Sequence, residues 1–281
     1  MQHIYNNLFA IKNALLRTIS AKGLIEMKKM ISALLTVVLT GKIAFAQAPY
    51  SYLSDYDNKK ITYGVGNDTD SMNRPLGAIS AQKQYGDMNS LFIGEAENKR
   101  LWLTFDEGYE NGYTEKILDT LASKGAKATF FITQDYAEKN PGLIKRMIAD
   151  GHTVGNHSYS HPSLPECSNE DLYNEIMQLH NYISKNFGYE MYVMRPPKGE
   201  FSERVLACAK ELGYTTVLWS FAYQDWLTEN QPEPTAAYDK ITSKTHNGAV
   251  YLLHAVSKTN AEILPKVIDY WHENGYIITP M

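Results

Sequence analysis

Short apolar runs alternate with stretches of helical spacing along most of the chain. Seven of these runs predict β-strands, at residues 101–105, 128–132, 152–156, 192–195, 215–219, 249–253 and 276–279. Between them, apolar positions recur every three or four residues, as at Ile117, Leu118 and Leu121, which is typical of amphipathic helices. Strands that alternate with helices predict a parallel sheet, so the fold class is α/β. Seven such units in one domain of about 180 residues fit a barrel, complete or incomplete, better than an open doubly wound sheet. No Gly-rich phosphate fingerprint follows the first strand, which argues against a nucleotide-binding fold.

Two helices carry signals at their ends. Ser168, with Asp171 three residues later, resembles a capping box and opens a helix that runs to about Gly188. The last helix is predicted over 260–274, where Pro265 should kink it or shift its start.

Three segments precede the alternating region. Residues 47–98 are polar and turn-rich and predict an irregular N-terminal arm. Residues 27–46 have the pattern of a signal peptide, with two lysines, an apolar run too short to span a bilayer comfortably, and small residues before a cleavage point at Ala46. Residues 1–26 are then an upstream extension, and translation is expected to start at Met27. We therefore expect export to the cell wall or the outer face of the membrane, with a membrane anchor only if the signal peptide stays uncleaved.

The composition is that of an ordinary globular protein. The chain has 281 residues, of which 44% are hydrophobic and 21% charged. A formal net charge of −4 gives no basic surface of the kind that nucleic-acid binding requires. Cys167 and Cys208 could pair in an oxidising compartment, although two buried free thiols are the simpler interpretation.

Polar residues gather at the predicted carboxyl ends of the strands, where parallel α/β folds place their catalytic groups. We expect them to converge on one site, because chance would place only one or two at the same edge of the sheet. The residues are Asp106, Glu107, His157, His161, Arg195, Asp225, Trp226 and His254.

The first four of these residues could form a metal site. His157 and His161 stand four residues apart, a spacing that puts both imidazoles on one face of a helical turn. Two imidazoles and a carboxylate suit zinc or another borderline divalent ion, and a pair of hydrogen-bonding surface histidines is the alternative. Of Asp106 and Glu107, one could act as general base while the other faces the metal. A solvated acidic turn at a strand end is the alternative for that pair.

The remaining charged residues suggest acid–base chemistry. Arg195 precedes two prolines and could hold a carboxylate bidentately and keep it ionised, or could form a surface salt bridge. His254 ends an apolar strand, where a hydrogen-bonded core histidine is the usual explanation. With Asp225 as its partner it would instead be an imidazolium able to protonate a leaving amine.

Five segments, in order, resemble the motifs of the polysaccharide deacetylases, the NodB-homology group or carbohydrate esterase family 4. They are TFDEG at 104–108, HSYSH at 157–161, RPPKG at 195–199, DW at 225–226 and LLH at 252–254. The resemblance covers residues 99–281 and implies a NodB-like deacetylase domain. It also implies a deformed (β/α) barrel of about seven parallel strands and the metal-assisted hydrolysis of an acetamide.

The resemblance assigns catalytic and pocket roles residue by residue. It implies that Asp106 is the catalytic base and that Arg195 tethers it. It implies that His254 is the acid that protonates the departing amine and that Asp225 tunes it. The walls of the acetyl pocket are implied to be Trp226 and Leu252.

A divalent metal is implied as cofactor, with zinc the first expectation and manganese or cobalt as alternatives. His157 and His161 are implied as its ligands. Glu107 stands where the family has a second Asp as third ligand, and its side chain is one methylene longer.

Longer segments resemble one branch of the family, the PdaA-type enzymes that form muramic δ-lactam in spore cortex. These segments are 105–114, 195–204 and 252–261. Members of that branch resemble this chain in lacking the standard second Asp. The implied substrate is N-acetylmuramic acid in peptidoglycan strands whose stem peptide has been removed, in the forespore of a sporulating cell. The freed amine would then close on the lactyl carboxyl as a lactam.

Two other functions stay open at this point. One is a deacetylase of another glycan, such as chitooligosaccharide, N-acetylglucosamine in peptidoglycan, or xylan. The other is a non-catalytic glycan-binding protein whose metal site has decayed at Glu107, although the intact catalytic residues count against it. Lys198, Glu110 and Tyr113 lie close to the motifs and could contact substrate, but such residues more often only shape loops. The sequence does not indicate an oligomeric state.

Overall fold

The computed structural model describes residues 50–281. The predicted extension (1–26), the predicted signal peptide (27–46) and the first residues of the arm lie outside this part of the chain. Within residues 50–281, no helix is both long enough and apolar enough to cross a membrane.

The described residues form eleven strands and eight α-helices. The strands are β1 (Ile61–Thr62), β2 (Ser90–Leu91), β3 (Arg100–Glu107), β4 (Thr129–Ile132), β5 (Thr153–Asn156), β6 (Val193–Met194), β7 (Glu200–Phe201), β8 (Thr215–Val217), β9 (Phe221–Ala222), β10 (Ala249–His254) and β11 (Ile277–Ile278). The helices are α1 (Leu76–Tyr85), α2 (Thr114–Ser123), α3 (Gln134–Lys139), α4 (Pro141–Ala149), α5 (Asn169–Phe187), α6 (Glu203–Glu211), α7 (Pro234–Ser243) and α8 (Lys258–Glu273).

Nine strands make one parallel sheet that curls into a half-barrel. Their order is β2-β8-β6-β5-β4-β3-β10-β9, with β11 paired to β3, while β1 and β7 form a separate antiparallel pair. The seven predicted strands correspond to β3, β4, β5, β6, β8, β10 and β11. The prediction of an α/β fold with a deformed barrel is confirmed, and β2 and β9 add two short strands at the edges.

The two faces of the central strands bury different clusters. On β3, Leu101, Leu103 and Phe105 point towards the helices and belong to the main core. The intervening Trp102 packs on a smaller cluster inside the curve of the sheet, built around Phe131. Because side chains alternate along a strand, this pattern decides which polar residues at the strand ends face the interior of the barrel.

The N-terminal arm holds more regular structure than its sequence pattern predicts. It contributes α1, and its strand β2 pairs with β8 at the edge of the sheet. Gln82 joins the two, since its side-chain amide donates to the Ser90 carbonyl at 3.1 Å and its oxygen accepts from the Phe92 amide at 2.8 Å. Helix α1 buries only Ala78 and Tyr85, so it lacks the apolar stripe that reveals a helix in a sequence.

Most predicted helix ends are confirmed. Ser168 caps α5 by accepting from the Asp171 amide, and Gly188 ends that helix in the left-handed conformation. Helix α8 begins at Lys258, so Pro265 lies inside it and does not displace its start. Both cysteines are free thiols.

Candidate active site

The predicted site residues converge at the carboxyl ends of the parallel strands, with one exception. Asp106 lies within β3, which extends two residues beyond its predicted end, and is in register with His254 on β10. His157 follows β5, and Arg195 follows β6. Asp225 comes after β9. The exception is Glu107.

Asp106 and Arg195 form a buried ion pair at the centre of the site. The Arg195 Nη1 atom donates to the Asp106 Oδ1 atom at 2.6 Å. Burial alone would raise the pKa of the Asp106 carboxyl, but the surrounding positive charge, chiefly that of Arg195, outweighs burial and holds that pKa below its usual value. Asp106 is therefore an ionised carboxylate at neutral pH, which is the state that a general base requires.

The Arg195 side chain is fixed on every side. It is fully buried, its Nε atom donates to the Val217 carbonyl at 3.1 Å and its Nη2 atom to the Leu218 carbonyl at 3.2 Å. The guanidinium lies 4.2 Å from the ring centre of Phe131, in the cluster inside the barrel. Because the same guanidinium donates to Asp106, the sheet itself positions the carboxylate.

His157 and His161 lie together, but not on a helical turn. Their ring centres are 4.8 Å apart in a loop where His161 has a φ of 60° and its amide donates to the Ser158 hydroxyl. Burial lowers the pKa of both imidazoles, that of His161 to about 4. Both rings are therefore neutral at pH 7 and able to act as metal ligands.

The tautomer of His157 also fits a ligand. Its Nδ1 atom lies 2.8 Å from the Arg195 carbonyl, which can only accept, so the proton sits on Nδ1 and the lone pair on Nε2. Nε2 faces the site, 3.5 Å from the Asp106 Oδ2 atom. Two imidazole donors therefore suit a divalent metal. Among residues 50–281, however, no three His, Cys, Asp or Glu side chains are grouped closely enough to hold one.

Glu107 does not join the two histidines. It follows Asp106 on β3, so its side chain continues the face of Phe105, towards the helices rather than into the cavity. It is fully buried, and neither carboxylate oxygen has a hydrogen-bond partner within the described part of the chain. Burial, with smaller contributions from Glu110 and Asp106, raises the pKa of Glu107 well above its usual value. The placement gives no support to Glu107 as a third ligand.

His254 and Asp225 form the second charged pair of the site. The His254 Nδ1 atom lies 2.7 Å from the Asp225 Oδ1 atom, and the His254 amide donates to Oδ2 at 2.9 Å. Burial would lower the pKa of His254, but the hydrogen bond and charge of Asp225 outweigh it and raise that pKa. The imidazole is thus poised to carry a proton near neutral pH.

Two further residues support the pair of His254 and Asp225, and neither was predicted from the sequence. The Asn260 side-chain amide donates to the Asp225 Oδ2 atom at 2.6 Å, and the Tyr223 hydroxyl donates to the Asn260 side-chain oxygen. Both are buried. They fix the carboxylate of Asp225 and, through it, the ring of His254.

The cleft above these residues has two arms. The first arm, a cavity of 440 Å³, is lined by Tyr109, Thr133 and Tyr159 beside the predicted site residues. The second arm, 530 Å³, is lined by Trp219 and Tyr223 among others. The predicted site residues common to both arms are Asp106, His157, His161, Trp226 and His254. The cleft therefore passes over these shared residues and continues on either side of them, as a chain-like substrate would require.

The other residues predicted to contact substrate divide into those that line the cleft and those that do not. Trp226 lines both arms, is 45% exposed, and its ring centre lies 5.5 Å from that of His254, while Leu252 lines the second arm. Glu110 and Tyr113 line neither arm. Glu110 accepts hydrogen bonds from backbone amides at the start of α2, among them that of Tyr113, so it shapes the loop.

Comparison with known proteins identifies relatives of the chain. Residues 93–217 match the family described as polysaccharide deacetylase. The chain is 42% identical over 189 residues to the peptidoglycan-N-acetylmuramic acid deacetylase PdaA of Bacillus subtilis, covering 67% of this chain and 72% of that protein. The solved structure of Bacillus subtilis PdaA, a family 4 carbohydrate esterase, superposes with a TM-score of 0.75 and 37% identity, over 80% of this chain and 96% of that one.

A more distant solved structure is also similar. It is a pseudoenzyme of carbohydrate esterase family 4 from Bacillus anthracis, with a TM-score of 0.65 and 26% identity over 68% of this chain and 67% of that one. The same fold therefore occurs both with and without activity, and function has to be argued from the residues of the site.

Proposed function

The chain belongs to the polysaccharide deacetylase family and is a de-N-acetylase of peptidoglycan, and from that premise we propose that it hydrolyses the N-acetyl group of N-acetylmuramic acid in a metal-dependent reaction. One observation carries the proposal. An ionised carboxylate held by a buried arginine lies on the strand next to an imidazole held by a buried carboxylate, and both line the cleft. Amide hydrolysis needs that combination, a base for the water and an acid for the amine.

The base is Asp106. It takes the proton of the attacking water, and Arg195 keeps it ionised and fixed so that it can do so. The water oxygen bonds to the acetamide carbon, and the resulting tetrahedral centre carries a negative charge on its oxygen.

The acid is His254. Asp225 holds the Nδ1 proton, which leaves Nε2 as the nitrogen that delivers a proton towards the cleft. When the C–N bond breaks, that proton goes to the amine, and acetate leaves with the water oxygen. Asn260 keeps Asp225 in place through the cycle.

We assign the metal to His157 and His161, with zinc first and manganese or cobalt as alternatives. When bound there, a divalent ion supplies Lewis acidity towards the acetamide carbonyl and acidifies water at neutral pH. Support comes from the neutral state of both imidazoles and from the Nδ1 proton of His157, which leaves Nε2 free to ligate.

The muramic substrate is supported by the identity to the Bacillus subtilis enzyme, whose name gives N-acetylmuramic acid as its substrate. After deacetylation, the freed amine would close on the lactyl carboxyl as a δ-lactam. We place this reaction in spore cortex, with the protein exported to the cell wall through the segment 27–46.

The test is acetate release from peptide-stripped peptidoglycan by residues 47–281 with added Zn²⁺, Mn²⁺ or Co²⁺. The proposal predicts release by the wild type, muramic lactam among the products, and loss of release in Asp106→Asn. Release only from N-acetylglucosamine oligomers or xylan would contradict the muramic assignment. Binding of glycan without acetate release, with every metal, would place the chain with the pseudoenzymes of the family.

A further inference from the structure

One lysine occupies an unusual place in the second arm of the cleft. Lys198 lines that arm together with Asp106, His157, His161 and His254. Among residues 50–281, no other lysine or arginine lines either arm. Arg195 lies beneath the cleft, where it is buried and engaged by Asp106. Lys198 is therefore the cation that a substrate meets in this part of the cleft.

The backbone holds Lys198 in a strained conformation. Its φ of 62° and ψ of 5° lie in the left-handed region, which side chains other than glycine and asparagine rarely adopt. The neighbours do not allow the strain to relax easily. Pro197 has a fixed φ, and a Cβ on Gly199 would lie 2.5 Å from the ring of Trp219. Strain of this kind is retained at sites where the direction of a side chain matters.

Within the described residues, Lys198 has no carboxylate within salt-bridge distance. The nearby acid Glu166 is already paired with Lys60 at 2.7 Å. The ammonium group of Lys198 is thus free to bind an anion that enters the second arm.

We propose that Lys198 binds the lactyl carboxylate of muramic acid and so selects muramic residues that have lost their stem peptide. This inference rests on the proposed function. N-acetylmuramic acid differs from N-acetylglucosamine only by the lactyl ether on O3, and C3 adjoins the carbon that carries the acetamide. An acetamide at Asp106 therefore brings the lactyl carboxylate close to the wall of the cleft. A stem peptide would convert that carboxylate into a neutral amide.

The test compares two glycans made from one preparation of peptide-stripped peptidoglycan. One keeps its lactyl carboxylates, and in the other they are converted to methylamides with a carbodiimide and methylamine. Acetate release gives kcat/KM for each. For the wild type we expect the ratio of free acid to amide to be about tenfold or more, since a charge-assisted contact is lost in the amide.

The variants are chosen to keep the backbone of the loop. Lys198→Asn removes the charge and suits the left-handed conformation, and Lys198→Arg keeps the charge. Lys145→Asn is the matched control, because Lys145 is an exposed lysine on α4 that lines neither arm. We expect the ratio to fall towards one in Lys198→Asn, mainly through KM, and to stay near the wild-type value in the other two.

The outcomes separate the two proposals. No release by the wild type from either muramic glycan overturns the proposed function, and the Lys198 inference with it. Release by the wild type with equal kcat/KM for acid and amide overturns only the role of Lys198. That role is likewise overturned if Lys198→Asn, with an unchanged melting temperature, keeps the wild-type ratio.

Discussion

Asp225→Asn should change the pH dependence of the enzyme rather than scale its activity uniformly. The Asp225 carboxylate accepts the Nδ1 proton of His254 at 2.7 Å, and that contact outweighs the effect of burial and raises the pKa of His254. An asparagine of the same shape removes the charge. The pKa of His254 should then fall, because burial continues to disfavour the imidazolium while its counter-charge is gone.

The size of the effect follows from the type of contact. A hydrogen bond to a charged group contributes about 1.5–3 kcal/mol, and one pKa unit corresponds to about 1.36 kcal/mol. The alkaline limb of kcat/KM should therefore move to lower pH by about one to two units. At pH values above that limb, a smaller fraction of His254 is protonated in the variant. This alone should make the variant about 10- to 100-fold less active than the wild type. At more acidic pH, the loss should be smaller and should reflect only the orientation of the ring.

The free energy of unfolding should also depend on pH, but the largest loss in the variant should fall at acidic pH rather than at alkaline pH. Because the folded-state pKa of His254 is raised, the ion pair contributes its full stability below the ordinary histidine value of about 6.5. That contribution is lost as the pH rises through the folded-state pKa. Asp225→Asn should therefore lower the free energy of unfolding most at acidic pH, as urea denaturation can measure.

The assay is kcat/KM for acetate release between pH 5 and 9, with circular dichroism to confirm folding. Asp269→Asn is the control, since that carboxylate pairs with Lys124 at the surface and should leave the profile unchanged. Asn260→Ala should leave the limb close to its wild-type position, because Asp225 keeps its charge when it loses one donor. A loss of activity in Asp225→Asn by the same factor at every pH would refute the tuning of His254 and leave Asp225 with an orienting role only.

Three further predictions concern the rest of the site. Arg195→Met should leave the buried carboxylate of Asp106 unpaired and lower the free energy of unfolding by about 3–5 kcal/mol, measured in urea at pH 7; an unchanged midpoint would contradict the pairing. Gly199→Ala, at a φ of 64° and with its Cβ 2.5 Å from an indole ring, should lower the melting temperature, and an equal or higher value would show that the loop is free to adapt. His161→Ala should abolish zinc binding in isothermal titration, whereas Glu107→Gln should keep it; loss of zinc in both would mean that Glu107 reaches the metal.

The architecture could be predicted because it depends on local patterns. Residues close together in the sequence indicate the long buried runs of β3 and β10 and the caps of α5. These features lie where the sequence predicts them. The predicted end of β3 is too early, because the last apolar residue of the run is Phe105. The strand continues because its partners do, with Glu107 in register with Ile132 on β4.

The site was harder to complete, because its supporting contacts join distant positions. Asn260 lies on α8 and contacts Asp225 across 35 positions of the chain, a relation that no spacing rule reports. The histidine pair shows that a spacing rule can also predict the wrong local structure. A spacing of four predicts a helical turn, but the pair lies in a loop whose backbone is left-handed at both Ser158 and His161, and the rings still lie together.

Glu107 illustrates why adjacency in sequence is a poor guide to ligation. In a turn, two consecutive carboxylates could both face the site, one as base and the other towards a metal. In a strand they cannot, because each residue points to the opposite face from its neighbour. Since Asp106 must face the cleft to contact Arg195, Glu107 must face the helices. Its buried carboxyl, which has a raised pKa and no hydrogen-bond partner among residues 50–281, is the consequence of that geometry, and our proposal therefore assigns the metal to the two histidines alone.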